Sequence, residues 1–176
     1  NHRARLLHHT SILGVLWIIL LLLSSFRIIH RIDPSVLGIS YSIAVQDILN
    51  LTNQKRVENG LPTLTLSNEL TSAAHQKAND MFFKNYWAHF APDGTTPWSF
   101  IKSAGYNYIY AGENLAKGFI KSSDVIDAWM DSSSHRENML SDKYSEVGFA
   151  VVEGNLLGEE TVLIVEMFGS SQSRFI

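Results

Sequence analysis

Hydrophobic positions follow two different rules along this chain. From Thr10 to Phe26 the sequence TSILGVLWIILLLLSSF runs 17 residues without a charge, between Arg5 and Arg27. As a helix it spans about 25 Å, slightly short of a bilayer core of about 30 Å. Ile28 and Ile29, with Arg27 snorkelling, extend it. The segment is apolar on every face, which argues against a buried soluble helix. No clear A-x-A site follows it, which argues against a cleaved signal peptide. It therefore predicts a transmembrane anchor over residues 10–29, with residues 1–9 as a flank. Residues 30–44 read as a linker, because Asp33-Pro34 and Gly38 break any helix there.

From about Ser42 the pattern becomes globular. Val45, Ile48, Leu51 and Thr52 recur at helical spacing, with Gly60 as a stop. LPTLTL is a short extended link. Ser67 caps a second predicted helix, whose stripe is Leu70, Ala73, Ala74, Met81 and Phe82, with Ala78 close by. TPWSFIKSAG predicts a third helix, opened by Pro97 and closed by Gly105. SSDVIDAWMDSS predicts a fourth, capped by Ser122 or Ser123, with Val125, Ile126 and Trp129 inward. The period then changes. YIYAGENLAKG, EVGFAVVEG and TVLIVEMFG read as strands, the last two joined across NLLGEE by a hairpin-length connection. Helices first and paired strands last give an α+β class, with helices covering an antiparallel sheet. The domain is expected over residues 45–169, with 170–176 as a tail.

Charge and composition narrow the function classes. The net charge is −3, yet residues 1–41 hold four arginines against Asp33 alone, so the globular part is distinctly acidic. Phosphate binding needs a basic face, so nucleic acid is not an expected partner. The chain has no cysteine, which removes disulfides, thiolate metal sites and cysteine nucleophiles. The first residue is Asn1 rather than Met, which suggests a piece of a longer chain.

Candidate chemistry rests on a few side chains. Four of the seven histidines, His2, His8, His9 and His30, flank the apolar segment and suit an interface. His75 lies mid-helix, just off the apolar stripe, and reads as solvated. His89 and His135 each follow a predicted helix, where a scaffold presents functional groups. Glu113, in AGENLAKG, sits in an otherwise apolar stretch, where a carboxylate is costly unless paired. Two imidazoles and one carboxylate could share a proton. They could equally hold zinc or another divalent cation, with a position left for water. There is no H-E-x-x-H helix. The alternating Tyr106, Tyr108 and Tyr110 are expected to face one side of a strand. Trp87, Trp98 and Trp129 read as core or cleft wall, and Asp80 as an acceptor that fixes a loop.

In sequence order, ILNLTNQKRVENGLPTLTLSNELTSAAHQKANDM, NYWAHFAPDG, GYNYIYAGENLAKG, AWMDSSSHRENML and YSEVGFAVV together resemble the CAP superfamily, also called the SCP or PR-1-like family. The match is to its cysteine-free bacterial branch. That branch usually shows W-x-x-S-P-G-H-R-x-N near the last site; here Ser133-Ser134 replace Pro-Gly. The resemblance implies a three-layer α-β-α sandwich with an exposed cleft. It also implies that His89, Glu113 and His135 correspond to three members of a cleft tetrad, with Asn114 beside them. The fourth member, a glutamate in the eukaryotic branch, falls on Ser132. The N-x-x-R pair, Asn53 and Arg56, is expected to be structural, with the arginine fork bonded to backbone carbonyls.

Three functions follow. The first is a membrane-anchored extracytoplasmic binding module whose cleft takes a lipid, an envelope component or a divalent metal. The second is a metal-dependent or general-base hydrolase using His89, Glu113 and His135. The third is a structural or adhesion domain. A serine nucleophile among Ser132–Ser134 is disfavoured, because residues adjacent to His135 rarely reach nucleophile–base geometry.

Overall fold

The structure, a computed structural model, describes Val15, residues 17–19 and residues 42–171. Residues 1–40 and 41–176 form two separate compact units. In the first unit the four described residues are helical. Among the described residues, no helix is long and apolar enough to cross a membrane. The rest of the segment expected to span one, residues 10–29, lies outside the described residues.

The second unit runs α1 (Val45–Glu58), β1 (Thr65–Leu66), α2 (Asn68–Phe83), α3 (Pro97–Ser103), β2 (Tyr108–Lys117), α4 (Ser122–Asp131), α5 (Ser133–Met139), β3 (Glu146–Leu156) and β4 (Glu159–Ser171). The sheet has the order β1-β3-β4-β2; β1 pairs parallel to β3, and the other pairings are antiparallel. Along β4 the side chains divide strictly by parity. Leu163, Val165 and Met167 pack with Leu70, Ala74 and Met81 of α2. Val162, Ile164 and Phe168 pack with Ile48 of α1 and with Ile126 and Trp129 of α4. The period of two in strand side chains thus gives the sheet helices on both faces.

The expected helices form, with instructive differences at their ends. Ser67 caps α2 by accepting the Leu70 N–H at 3.2 Å. Thr96 caps α3 ahead of Pro97. The cap of α4 is Lys121, not Ser122 or Ser123; Ser122 is already helical and buried, and Ser123 bonds to Asp124. The hairpin is tighter than NLLGEE suggested. Its turn is Leu157-Gly158 with φ of 55° and 87°, and both strands run into the expected connection. Two positive φ values mark the turn class whose twist matches antiparallel strands. The three tyrosines do not share a face. The register slips between Tyr108 and Tyr110, which leaves Tyr106 buried and Tyr110 exposed.

Candidate functional site

The site is built at β2, an edge strand, which bonds both to the loop after α2 and to α5. Glu113 has the same parity as Leu115, whose side chain lies in the α2 cluster. Asn114 points to the opposite face. The loop after α2 brings His89 to Glu113, with Nδ1 2.6 Å from Oε1. A carboxylate there accepts, so Nδ1 carries the hydrogen and Nε2 stays outside the bond. The carboxylate is 2% exposed and the imidazole 49%, so the pair joins a buried acid to an accessible ring. Glu113 Oε2 is buried without a hydrogen-bond partner.

The loop itself is firmly held. Lys77 donates to the carbonyls of Ala88 at 2.9 Å and His89 at 2.7 Å. The Tyr86 hydroxyl donates to Asp80 Oδ2 at 2.7 Å, as expected for a loop-fixing acid. Asp80 and Asp93 both pair with Lys84. The expected turn at Pro92-Asp93-Gly94 closes with the Gly94 N–H on the Ala91 carbonyl, at a Gly94 φ of 83°.

Beside the pair lies an open cleft of about 400 Å³. His89, Glu113 and Asn138 are its polar lining; Phe90, Pro97 and Trp98 are its apolar wall. His135 comes from the other layer, on α5, where the sequence suggested a loop. It does not line the cleft, but the positive charge of His89 acts on it. Burial first, then that charge, lowers its pKa. Glu113 is displaced upward by burial, and its hydrogen bond to His89 and the Lys77 ammonium oppose that displacement.

Asn114 lies behind the cleft as the centre of a polar core. Its Nδ2 donates to the carbonyl of His135 at 3.2 Å and to Glu166 Oε2 at 3.1 Å. Asn138 donates to Asn114 Oδ1 and to the Glu113 carbonyl, tying α5 to β2. Glu166 is fully buried and also accepts from Thr52; desolvation pushes it up to about 8. Ser132 sits at the α4–α5 junction with extended backbone, its Oγ 3.4 Å from that of Ser134, and outside the cleft lining. His75 is exposed, as expected.

The residues present do not form a ready metal site. Among the described residues, no group of three or more His, Asp or Glu side chains is arranged to hold a metal ion. Glu113 Oε1 is already engaged by His89. Two site residues escaped the sequence reading. Asn138 had a signal, since it is the asparagine of the H-R-x-N motif, three positions after His135 on one helix. Lys77 had one too, since it follows Leu70, Ala73 and Ala74 at the core spacing of α2.

Comparison with known proteins agrees with this architecture. Protein YkwD of Bacillus subtilis (strain 168) is 38% identical over 114 residues, covering 65% of this chain and 44% of its own. The membrane protein YlbC of the same organism is 27% identical over 106 residues, covering 60% of this chain and 31% of its own. This chain thus spans less than half the length of either relative. An extracellular Bacillus anthracis protein containing an SCP domain superposes with a TM-score of 0.62 at 24% identity, over 72% of this chain and 40% of that one. An outer surface protein of Borrelia burgdorferi gives 0.64 at 21% identity, over 76% of this chain and 99% of that one. At such identities these two structures share the fold alone. The model of the cysteine-rich secretory protein family, CAP, matches residues 49–167, most of the chain, and to that family this protein belongs.

Proposed function

We propose that the chain is an extracytoplasmic binding module, held at the membrane by residues 10–29, whose cleft takes an amphipathic ligand of lipid or cell-envelope origin. One observation carries this reading. An open, apolar-walled cleft of about 400 Å³ ends on a buried carboxylate with one oxygen unpartnered. Apolar walls with a few convergent polar groups, here His89, Glu113 and Asn138, suit a ligand with a hydrocarbon body and a hydrogen-bond-donating head. The Bacillus anthracis protein is extracellular and YlbC is a membrane protein, which supports the placement.

The test is titration of the amphipol-solubilised full chain with a fluorescent long-chain alcohol, whose hydroxyl can donate to Glu113. Trp98→Ala and Glu113→Gln should each weaken binding about tenfold or more, or roughly 1.4 kcal/mol. Wild-type affinity in both variants would overturn the reading. For the anchor, carbonate extraction should leave the chain in the membrane pellet; release into the soluble fraction would refute it.

The short His89–Glu113 bond favours a second reading. A carboxylate that holds Nδ1 leaves Nε2 as a general base toward water, as hydrolases require. None of the cleft-lining side chains is a nucleophilic hydroxyl or thiol, so water would have to attack. Ester or peptide hydrolysis lost in a folded Glu113→Gln variant would favour this reading over the first. A divalent cation is the weaker ligand, because it must displace that same bond. Zinc affinity unchanged by His89→Ala with His135→Ala would exclude it.

A further inference from the structure

Lys77 occupies a core position of α2, where a hydrocarbon would be expected, and it is fully buried. All three ammonium donors are used: two on the carbonyls of Ala88 and His89, the third on the Tyr86 hydroxyl at 3.1 Å. The ammonium also lies over the Tyr86 ring, 4.8 Å from its centroid. None of its bonds goes to a carboxylate. Glu113 on β2 acts on it through space, and so, more weakly, does Asp80, which the Tyr86 hydroxyl also links to it. Lys84, also on the α2 side, opposes it.

Packing alone does not explain such a group. Burying a lone ammonium costs desolvation that a hydrocarbon of similar volume would avoid, so the group is retained for the bonds it makes. What the ammonium does provide is local. Two of its three bonds fix the backbone of the segment that carries the cleft imidazole. Its charge acts through space on the carboxylate that holds that imidazole.

We infer that Lys77 is the positioning residue of the His89–Glu113 pair: its ammonium pins the Ala88 and His89 carbonyls and sets a positive charge that acts on Glu113, so that the His89 ring is presented in one tautomer. The inference rests on His89–Glu113 being the working pair of the cleft. Without that charge, the cost of burying Glu113 is opposed by His89 alone, and Glu113 takes up a proton at higher pH. A protonated Glu113 donates to Nδ1 instead of accepting from it, and the neutral ring then carries its hydrogen on Nε2.

The experiment follows the ring nitrogens of His89 and the carboxyl carbon of Glu113 by NMR in the full chain. Wild type is compared with Lys77→Met, Lys77→Gln and Lys77→Arg from about pH 4 to 9. In the Met and Gln variants, the Nε2–H form of neutral His89 should gain about tenfold over wild type, and Glu113 should titrate at higher pH. Arg keeps the charge and should restore the wild-type tautomer. A folded Gln variant with the wild-type tautomer and wild-type Glu113 titration overturns the inference.

A reciprocal measurement leaves Lys77 in place, so it holds even where the lysine variants do not fold. Coupling is mutual, and Glu113→Gln must lower the pH at which Lys77 loses its proton; an unchanged Lys77 titration also overturns the inference. Neither measurement uses a ligand. The cleft could fail to bind the long-chain alcohol with this coupling intact, and the coupling could fail in a cleft that still binds.

Discussion

Arg56 shows how one side chain can hold distant segments together without a counter-ion in contact. It is fully buried on α1. Its Nε donates to Pro62, its Nη1 to Met139 and Ser141, and its Nη2 to Tyr144, all at backbone carbonyls 2.8–3.3 Å away. The planar fork thereby organises the turn between α5 and β3, and through α5 the position of Asn138 and His135. Arg56→Ala strands four carbonyls and should cost about 3–5 kcal/mol in urea unfolding. Arg56→Lys should recover only part of this, because an ammonium has three donors and no fork. An alanine variant within about 0.5 kcal/mol of wild type would contradict this account. This role was expected from the family resemblance, which marks Asn53 and Arg56 as a structural N-x-x-R pair. Asn53 completes it by clamping Leu64 through both its N–H and its carbonyl. Lys77 was harder to read. A lysine amid Gln, Asn and Asp looks solvated, and only the returning loop, with its carbonyls, makes burial tolerable.

At the scale of elements, the contact of α2 with β3 depends on a missing side chain. A Cβ on Gly148 would overlap the Leu70 carbonyl carbon and the Thr71 nitrogen, both backbone atoms of α2 that cannot rotate away. Gly148→Ala should therefore cost about 3 kcal/mol by forcing helix and strand apart. It should also lower cleft affinity, since α2 carries Lys77. Thermal melts beside the long-chain alcohol titration would check both, and an unperturbed melting point would contradict the close approach. Periodicity identified every long element here, because each buries one face. It missed α5: Ser132-Ser133-Ser134 reads as a turn, and a helix of seven residues, Ser133–Met139, has too little pattern to oppose that reading. It also misjudged the tyrosines, because a register slip reverses side-chain direction and leaves no mark in an alternating sequence.

For the whole molecule, the relevant fact is that the sheet buries an acid at its centre. Glu166 titrates at about 8 when folded, above its ordinary value of 4.5. Between those values the folded state keeps a proton that the unfolded chain has released. The stability it contributes is therefore complete below pH 4.5, declines as pH rises, and is gone above about 8. Glu166→Gln should be favoured over wild type increasingly from about pH 5 to 9, by on the order of a few kcal/mol at the alkaline end. Taking the difference between variant and wild type removes the titrations of Glu113 and His135. Urea midpoints that differ by the same amount at every pH would refute the assignment. The sequence could not announce this network. Thr52 and Arg56 on α1, Asn114 on β2 and Glu166 on β4 come from three distant stretches of the chain, and only the pairing of β2 with β4 puts Asn114 opposite Glu166.

That same strand order has a consequence for synthesis. β4 takes part in two of the three pairings, and the remaining one, β1 with β3, holds two residue pairs. A nascent chain therefore has almost no sheet to close until residues 159–171 emerge. Before then the helices lack most of the sheet they pack against, and β4 is the strand that commits the domain. Folding therefore waits on contacts far apart in sequence, and a chain cut short of Glu159 should show no cooperative unfolding.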